Sequence, residues 1–178
     1  MRVEKWLLVI VILVGGICVL SSYAFGSQSQ SGGVDILWGG VPQAVWSLYT
    51  IGMILAAVGY FFVLYFILFC LNPTTTRVAG RYGFPIFLLI FTLVLIPSAL
   101  WMPLTSLAIE QSSQFYLWLV RLVLWVVAAA SLGLLYALLT IEPRIPRWAH
   151  WFAVMGSLAF CLQTVVLDAI VWVSMFSI

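Results

Sequence analysis

Residues 115–141 read FYLWLVRLVLWVVAAASLGLLYALLTI, and this stretch decides the fold class because it carries one charged side chain, Arg121. A helix needs about 20 apolar residues to cross the hydrocarbon core of a bilayer, at a rise of about 1.5 Å per residue. The stretch exceeds that length, so it predicts a transmembrane helix.

Four further apolar runs have the same character. Together with residues 115–141 they predict five spans, at about 6–25, 46–71, 84–102, 115–141 and 148–176. The chain of 178 residues is 65% hydrophobic and 7% charged, whereas a soluble domain averages about 25% charged residues. So few polar groups could not cover a surface in water. We therefore expect one integral membrane domain over residues 1–178, an all-α bundle of five transmembrane helices.

The first apolar run allows two interpretations. Arg2 and Lys5, the apolar run and the residues SSYAFG at 21–26 also fit a cleavable signal peptide, which would leave four spans in the mature protein. The run is long for the apolar part of a signal peptide, so we expect a retained first helix.

Basic residues are divided unevenly among the predicted loops. With the amino terminus inside, the outer segments, including the loop at 26–45, hold no Lys or Arg. The positive-inside rule therefore predicts an N-in, C-out bundle. The predicted inner basic residues are Arg2, Lys5, Arg77, Arg81, Arg144 and Arg147.

Two charges lie within the predicted spans, Arg121 in the fourth and Asp168 in the fifth. Counted from the span ends, both lie roughly 8–12 Å below the outer surface. An isolated charge there is costly, so we expect an ion pair, and replacing both residues by Leu should restore the stability that each single replacement removes. The pair would fix the register of two helices or line a ligand or proton pathway. Alternatively, Arg121 extends to a lipid phosphate without a protein partner.

Aromatic residues lie close to these charges. Trp118 and Trp125 share a helical face with Arg121, and an α-helical spacing places Asp168 on a polar face with Thr164, Cys161, Ser157 and Trp172. A largely apolar pocket with a few polar groups is the usual kind of ligand site. The sequence thus predicts a site for an apolar small molecule in the outer half of the bundle, lined by Trp38, Trp101, Trp118, Arg121, Trp125 and Asp168.

Small residues recur at helical spacing in three spans and permit close helix approach. The pattern does not distinguish packing within one chain from packing in a homodimer or a larger membrane complex. The predicted packing residues are Gly52, Ala56, Gly59, Ala129, Gly133 and Gly156.

Several function classes find no support in the sequence. It contains no Ser-His-Asp grouping, HExxH motif or phosphate loop, so we expect no enzyme and no metal site. His150 is the only His and is expected at the inner interface. Nucleic acid is excluded as a partner because clustered Lys and Arg are absent, and a transporter would need more ionisable groups in the membrane. Two classes therefore compete: binding or sensing of a small molecule, and a non-catalytic structural subunit of a larger membrane complex.

Two short stretches resemble the TspO/translocator family of tryptophan-rich sensory membrane proteins. Residues 45–53, VWSLYTIGM, are similar to its V-W-x-x-L-Y-x-x-M-G, and residues 99–103, ALWMP, to its Trp-x-Pro stretch. The long first loop, with Trp38 and Pro42, lies where that family has its ligand-covering loop. The family's W-Y-x-x-L-x-K-P-x-W-x-P-P is absent. The resemblance implies a five-helix bundle that binds porphyrins, sterols or similar apolar molecules beneath the first loop, and it implies no other cofactor.

Overall fold

Five long helices make up the protein in a computed structural model that describes residues 3–29, 38 and 40–176. They are α1 (Val3–Ser29), α2 (Trp46–Tyr65), α3 (Ile86–Glu110), α4 (Gln114–Thr140) and α5 (Arg147–Cys161). A short π-helix, π1 (Phe66–Cys70), extends α2, and a longer one, π2 (Leu162–Trp172), extends α5 into the final turn α6 (Val173–Met175). The described chain thus has five helical segments long and apolar enough to cross a membrane, which confirms the all-α prediction.

The two ends of this bundle differ in structure. At one end Arg77 of β1 (Arg77–Val78) pairs with Glu142 of β2 (Ile141–Glu142) in a two-stranded antiparallel sheet. We name this the sheet end. The opposite end, with the first loop, the turn at 111–113 and α6, is the loop end. Arg2, predicted in an inner segment, and Asp35, in the loop at 26–45, lie outside the described residues.

The helices do not pack in chain order. α1 packs mainly on α3, α3 on α4, α4 on α5 and π2, and α5 on α2. α1 is the most exposed helix: Leu8 is fully buried, whereas Leu13, Ile17 and Leu20 are mostly exposed. Because these exposed residues are apolar, the outside of the bundle suits lipid rather than water.

Glycines allow the closest contact between two helices. A Cβ atom added to Gly59 of α2 would lie 2.5 Å from the carbonyl oxygen of Gly156 in α5 and 2.6 Å from its Cα. Gly52 lies in a similar position against Gln163 and Leu167 of π2. The predicted packing face on α2 is therefore used within the chain. The predicted packing residues of α4, Ala129 and Gly133, do not pack within the chain. Ala129 is exposed, and a Cβ on Gly133 would meet nothing within 4 Å.

The third helix is longer than predicted. It continues through Pro97 and Pro103 to Glu110, about two turns past the expected end at 102. A proline removes one backbone hydrogen bond, and packed membrane helices tolerate this where neighbours or hydroxyl groups support the freed backbone. Thr105 Oγ1 donates to the Trp101 carbonyl oxygen at 2.8 Å in this region. Trp101 is therefore a residue of the helix interior rather than of its end.

The described end of the first loop covers the loop end of the bundle. Val41 is buried against a core that includes Trp172 and Phe176, whose rings stack at 4.2 Å between centroids. A turn of 3-10 helix at Gln43–Val45 then leads into α2. Trp101, one of the residues that the sequence predicted as a ligand site, packs against the same core.

Candidate functional site

Asp168 lies in π2, and the geometry of that helix decides which neighbour it meets. Gln163 Nε2 donates a hydrogen bond to Asp168 Oδ1 at 2.8 Å. On an α-helix with about 3.6 residues per turn, residues five apart lie about 140° apart, whereas a π-helix forms its hydrogen bonds between residues five apart. The wider turn therefore brings Gln163 and Asp168 to one side of the helix.

Two residues of the polar face predicted for the fifth span, Cys161 and Thr164, face α4 and not Asp168. Thr164 Oγ1 donates to Ser131 Oγ at 2.8 Å, and Cys161 Sγ donates to the Ser131 carbonyl oxygen at 3.2 Å. These bonds hold α4 in register with the fifth span. Thr164 and Cys161 thus bond to α4, whereas Asp168 bonds to Gln163 of its own helix. The α-helical spacing assumed in the prediction had placed all three on one face.

The structure does not bring together the predicted ion pair of Arg121 and Asp168, and no ion pair joins them in the described chain. Trp125 Nε1 donates to the Ala169 carbonyl oxygen at 3.3 Å, and Ser131 lies opposite Thr164. Arg121 is therefore at least one turn, about 5.4 Å, nearer the loop end than Asp168. The prediction measured depth from the span ends, which assumed that the two helices end level.

Two tyrosines, one on α1 and one on α2, lie near Asp168. Tyr23 of α1 and Tyr49 of α2 lie within electrostatic range of its carboxylate, and Tyr49 Oη donates to the neighbouring Leu167 carbonyl oxygen at 2.7 Å. Trp101 of α3 contacts Tyr23, with 5.6 Å between ring centroids. We name Asp168, Gln163, Tyr23, Tyr49 and Trp101 the Asp168 cluster.

Two polar atoms of the Asp168 cluster are buried without a partner. Trp101 Nε1 and Gln163 Oε1 have no hydrogen-bond partner among the residues that the structure describes. Buried polar atoms are paired in the large majority of cases, and each exception calls for a physical explanation. The cluster therefore contains one unpaired donor, on Trp101, and one unpaired acceptor, on Gln163, whose amide nitrogen is bonded to Asp168.

Trp38 of the first loop lies against this cluster. Its ring stacks on Trp46 at 5.1 Å between centroids and meets the edge of Tyr49 at 5.4 Å. Trp46 Nε1 also donates to the Val41 carbonyl oxygen at 3.1 Å, which holds the loop to the start of α2. Trp38, Trp101 and Asp168 are thus the predicted ligand-site residues that share one region.

The other predicted ligand-site residues lie on a different surface. Trp118 and Trp125 are 56% and 46% exposed, and their rings meet at 6.4 Å between centroids. Arg121 lies between them with its Cζ 4.8 Å from the centroid of the Trp118 ring. We name these three residues the α4 tryptophan face. The residues of the single predicted pocket are therefore divided between the Asp168 cluster and an exposed helix face.

Sequence reasoning did not assign Tyr23, Tyr49 or Gln163 to the site. Both tyrosines lie close to span ends, where aromatic residues are common for other reasons. Gln163 precedes Asp168 by five residues, a spacing with meaning only in a π-helix. The sequence signal that could have identified Gln163 as the partner of Asp168 is the presence of an amide five residues from a carboxylate within one apolar span.

The histidine belongs to the other end of the molecule. His150 Nε2 lies 2.8 Å from the Leu138 carbonyl oxygen near the sheet end, and its ring packs against Phe66. Over the described ranges, no three His, Cys, Asp or Glu side chains lie close enough together to hold a metal ion.

Comparisons of the chain with protein-family models, curated proteins and solved structures gave no match. The resemblance to the TspO/translocator family therefore stays a prediction that rests on the two quoted stretches.

Proposed function

We propose that this multi-pass membrane protein binds, without catalysis, an apolar small molecule of the sterol-like class at the Asp168 cluster. The observation that carries the proposal is an unpaired donor on Trp101 and an unpaired acceptor on Gln163, whose amide nitrogen is bonded to the carboxylate of Asp168. A hydroxyl group can donate to an acceptor and accept from a donor at once. The rings of Tyr23, Tyr49 and Trp101 offer the apolar contact area that such a ligand needs.

The charge of the cluster favours a neutral ligand over a porphyrin. The carboxylates of a porphyrin would approach Asp168, and the nearest predicted counter-charge, Arg121, lies on another surface. None of the five residues of the cluster is basic, so the carboxylates of a porphyrin would be buried there without a counter-charge, which is costly. His150, which could bind a porphyrin iron, is near the sheet end.

The same proposal includes an orientation, with the sheet end on the inner side of the membrane. Lys5 donates from Nζ to the Leu68 carbonyl oxygen at 2.8 Å, and Arg144 donates from Nη2 to the Leu139 carbonyl oxygen at 2.7 Å, both at the sheet end. Arg77, Arg81 and Arg147 are in or next to the same loops. This distribution supports the N-in, C-out topology by the positive-inside rule.

A matched set of ligands and variants tests the binding site. The purified full chain is titrated with a sterol, with the methyl ether of that sterol and with protoporphyrin, and tryptophan fluorescence is recorded. We expect the sterol to bind most tightly, and Asp168→Leu to weaken it by roughly two- to tenfold, because Gln163 then loses the hydrogen bond that holds its unpaired Oε1 in place. Asp168→Asn keeps an acceptor and should retain part of the affinity.

Glu110→Gln is the matched control, since it neutralises an exposed acid at the loop end of α3. This variant should bind the sterol as the natural chain does. Tighter binding of protoporphyrin, or equal binding of the sterol and its methyl ether, would contradict the proposal.

A structural subunit of a membrane complex is the second candidate function. It is favoured by the small-residue face of α4, where Ala129 is exposed and an added Cβ on Gly133 meets nothing. A partner helix could approach this face closely. Native mass spectrometry of the protein extracted gently from its own membrane separates the two functions. A retained small molecule supports ligand binding, whereas a stoichiometric protein partner without a small molecule supports the subunit role.

A further inference from the structure

Arg121 has no ion-pair or hydrogen-bond partner in the Asp168 cluster. It makes no hydrogen bond to the described residues, and its Nε atom is buried without a partner. The described acids are engaged or elsewhere: Asp168 is bonded to Gln163, and Glu110 is exposed at the end of α3. Glu4 and Glu142 lie at the sheet end. An unpaired guanidinium among apolar side chains is costly, and the described residues supply no anion to balance it.

The direction of the side chain indicates where a balancing anion would lie. The guanidinium is placed over Trp118, which precedes Arg121 by one turn toward the loop end. Trp118 in turn lies four residues after Gln114, the first residue of α4, which is about 6 Å along the helix axis. The Arg121 side chain therefore extends toward the end of the span, where the headgroups of lipids surround a transmembrane helix.

The surroundings of the guanidinium fit a phospholipid. Trp118, Leu122 and Trp125 are 56%, 53% and 46% exposed and give an apolar surface beside the charge. A guanidinium is a planar fork that matches two oxygens of a phosphate group, and it is the preferred residue for such recognition.

We propose that Arg121, held against the ring of Trp118, binds the phosphodiester of a membrane phospholipid in the leaflet at the loop end. The acyl chains of that lipid lie along the α4 tryptophan face. A phosphodiester is favoured over an acidic residue of a partner protein because the headgroup layer places phosphate at this depth around every bilayer-spanning helix. The site lies on a different surface from the Asp168 cluster, so its test is independent of sterol binding.

Native mass spectrometry of the full chain in mild detergent tests this site. Phosphatidylglycerol and phosphatidylcholine supply the phosphodiester with and without net charge, and a diacylglycerol with the same acyl chains lacks it. We expect both phospholipids to bind more tightly than the diacylglycerol. Arg121→Leu should weaken phospholipid binding by about tenfold or more, and Arg121→Lys should keep part of it, because an ammonium supplies the charge without the fork.

Two further variants complete the test. Glu110→Gln, an exposed acid at the same end of the bundle, should leave phospholipid binding unchanged. Trp118→Leu keeps the charge and should weaken binding by roughly two- to fivefold, the share expected of a cation–π contact. This variant and Arg121→Lys decide the question if Arg121→Leu does not fold.

The proposal is overturned by any of three results. Diacylglycerol could bind as tightly as the phospholipids, Arg121 variants could bind phospholipid like the natural chain, or Arg121 could be required to retain a protein partner while no lipid is bound.

Discussion

The hydrogen bond between Gln163 and Asp168 shows what residue-level reasoning could and could not predict. A lone acid in an apolar span is visible in the sequence, and Asp168 was predicted as a site residue from that position together with its expected proximity to Arg121 and the tryptophans. Its partner was not, because α-helical spacing puts Gln163 about 140° away. Depth counted from the span ends pointed to Arg121, whose guanidinium instead lies 4.8 Å from the Trp118 ring centroid.

Two double-mutant cycles distinguish these partners. We expect Gln163→Leu and Asp168→Leu to be coupled by about 0.5–3 kcal/mol in the free energy of unfolding, because Gln163→Leu alone leaves the carboxylate without its donor. Arg121→Leu and Asp168→Leu should be additive within about 0.5 kcal/mol, since the two side chains do not touch. Unfolding by dodecyl sulfate in mixed micelles, followed by circular dichroism, measures both cycles.

The second cycle serves as the control for the first. Strong coupling between Arg121 and Asp168 would show that the ion pair predicted from the sequence forms in the membrane, and it would count against the site described around Gln163.

At the scale of elements, the spans were predictable because length and apolar composition are local properties of the chain. The helix geometry inside them was not. Pro97 and Pro103 predict an early end for the third span, yet α3 runs to Glu110. The eleven residues of π2 carry no known sequence signal, because π-helices are rare and depend on packing. The pairing of Gln163 with Asp168 on π2 was therefore beyond prediction, whereas Asp168 itself and Trp101 on α3 were predicted as site residues.

The contact between α2 and α5 supports a prediction about glycine. We expect Gly59→Ala to destabilise the chain by about 1–3 kcal/mol, because the new Cβ would lie 2.5 Å from the Gly156 carbonyl oxygen and backbone atoms cannot rotate away. Unfolding in mixed micelles measures the loss.

Gly16→Ala provides the comparison within a helix. An added Cβ there meets nothing within 4 Å, so this variant should be neutral or slightly stabilising. Equal losses at Gly59 and Gly16 would mean that close approach of α2 and α5 is not the reason for the glycine.

At the scale of the whole molecule, the packing order is the feature that the sequence could not supply. Short loops make α4 and α5 neighbours, but nothing in the apolar runs says that α1 packs on α3 or that α2 packs on α5. Charge asymmetry, in contrast, is a global property that can be read from the chain directly. The orientation we propose depends on it.

Cysteine labelling on intact cells tests this orientation. Gln111→Cys at the loop end and Thr75→Cys at the sheet end are placed one at a time in a chain whose three natural cysteines, Cys18, Cys70 and Cys161, are replaced by Ser. Both positions are exposed. We expect a maleimide that cannot cross membranes to label the site at 111 on intact cells and the site at 75 only after permeabilisation. The reverse pattern would refute the N-in topology.

The pairing of β1 with β2 has a consequence for how the protein is made. Arg77 and Glu142 are joined across the sheet end, so the loop after the second helix cannot complete its backbone hydrogen bonds until about 65 more residues have been synthesised. At about 5–20 residues per second this delay is roughly 3–13 s. During that interval the third and fourth helices are synthesised while β1 has no partner strand. Synthesis of Ile141 and Glu142, directly after the fourth helix, is thus the event that lets the sheet form.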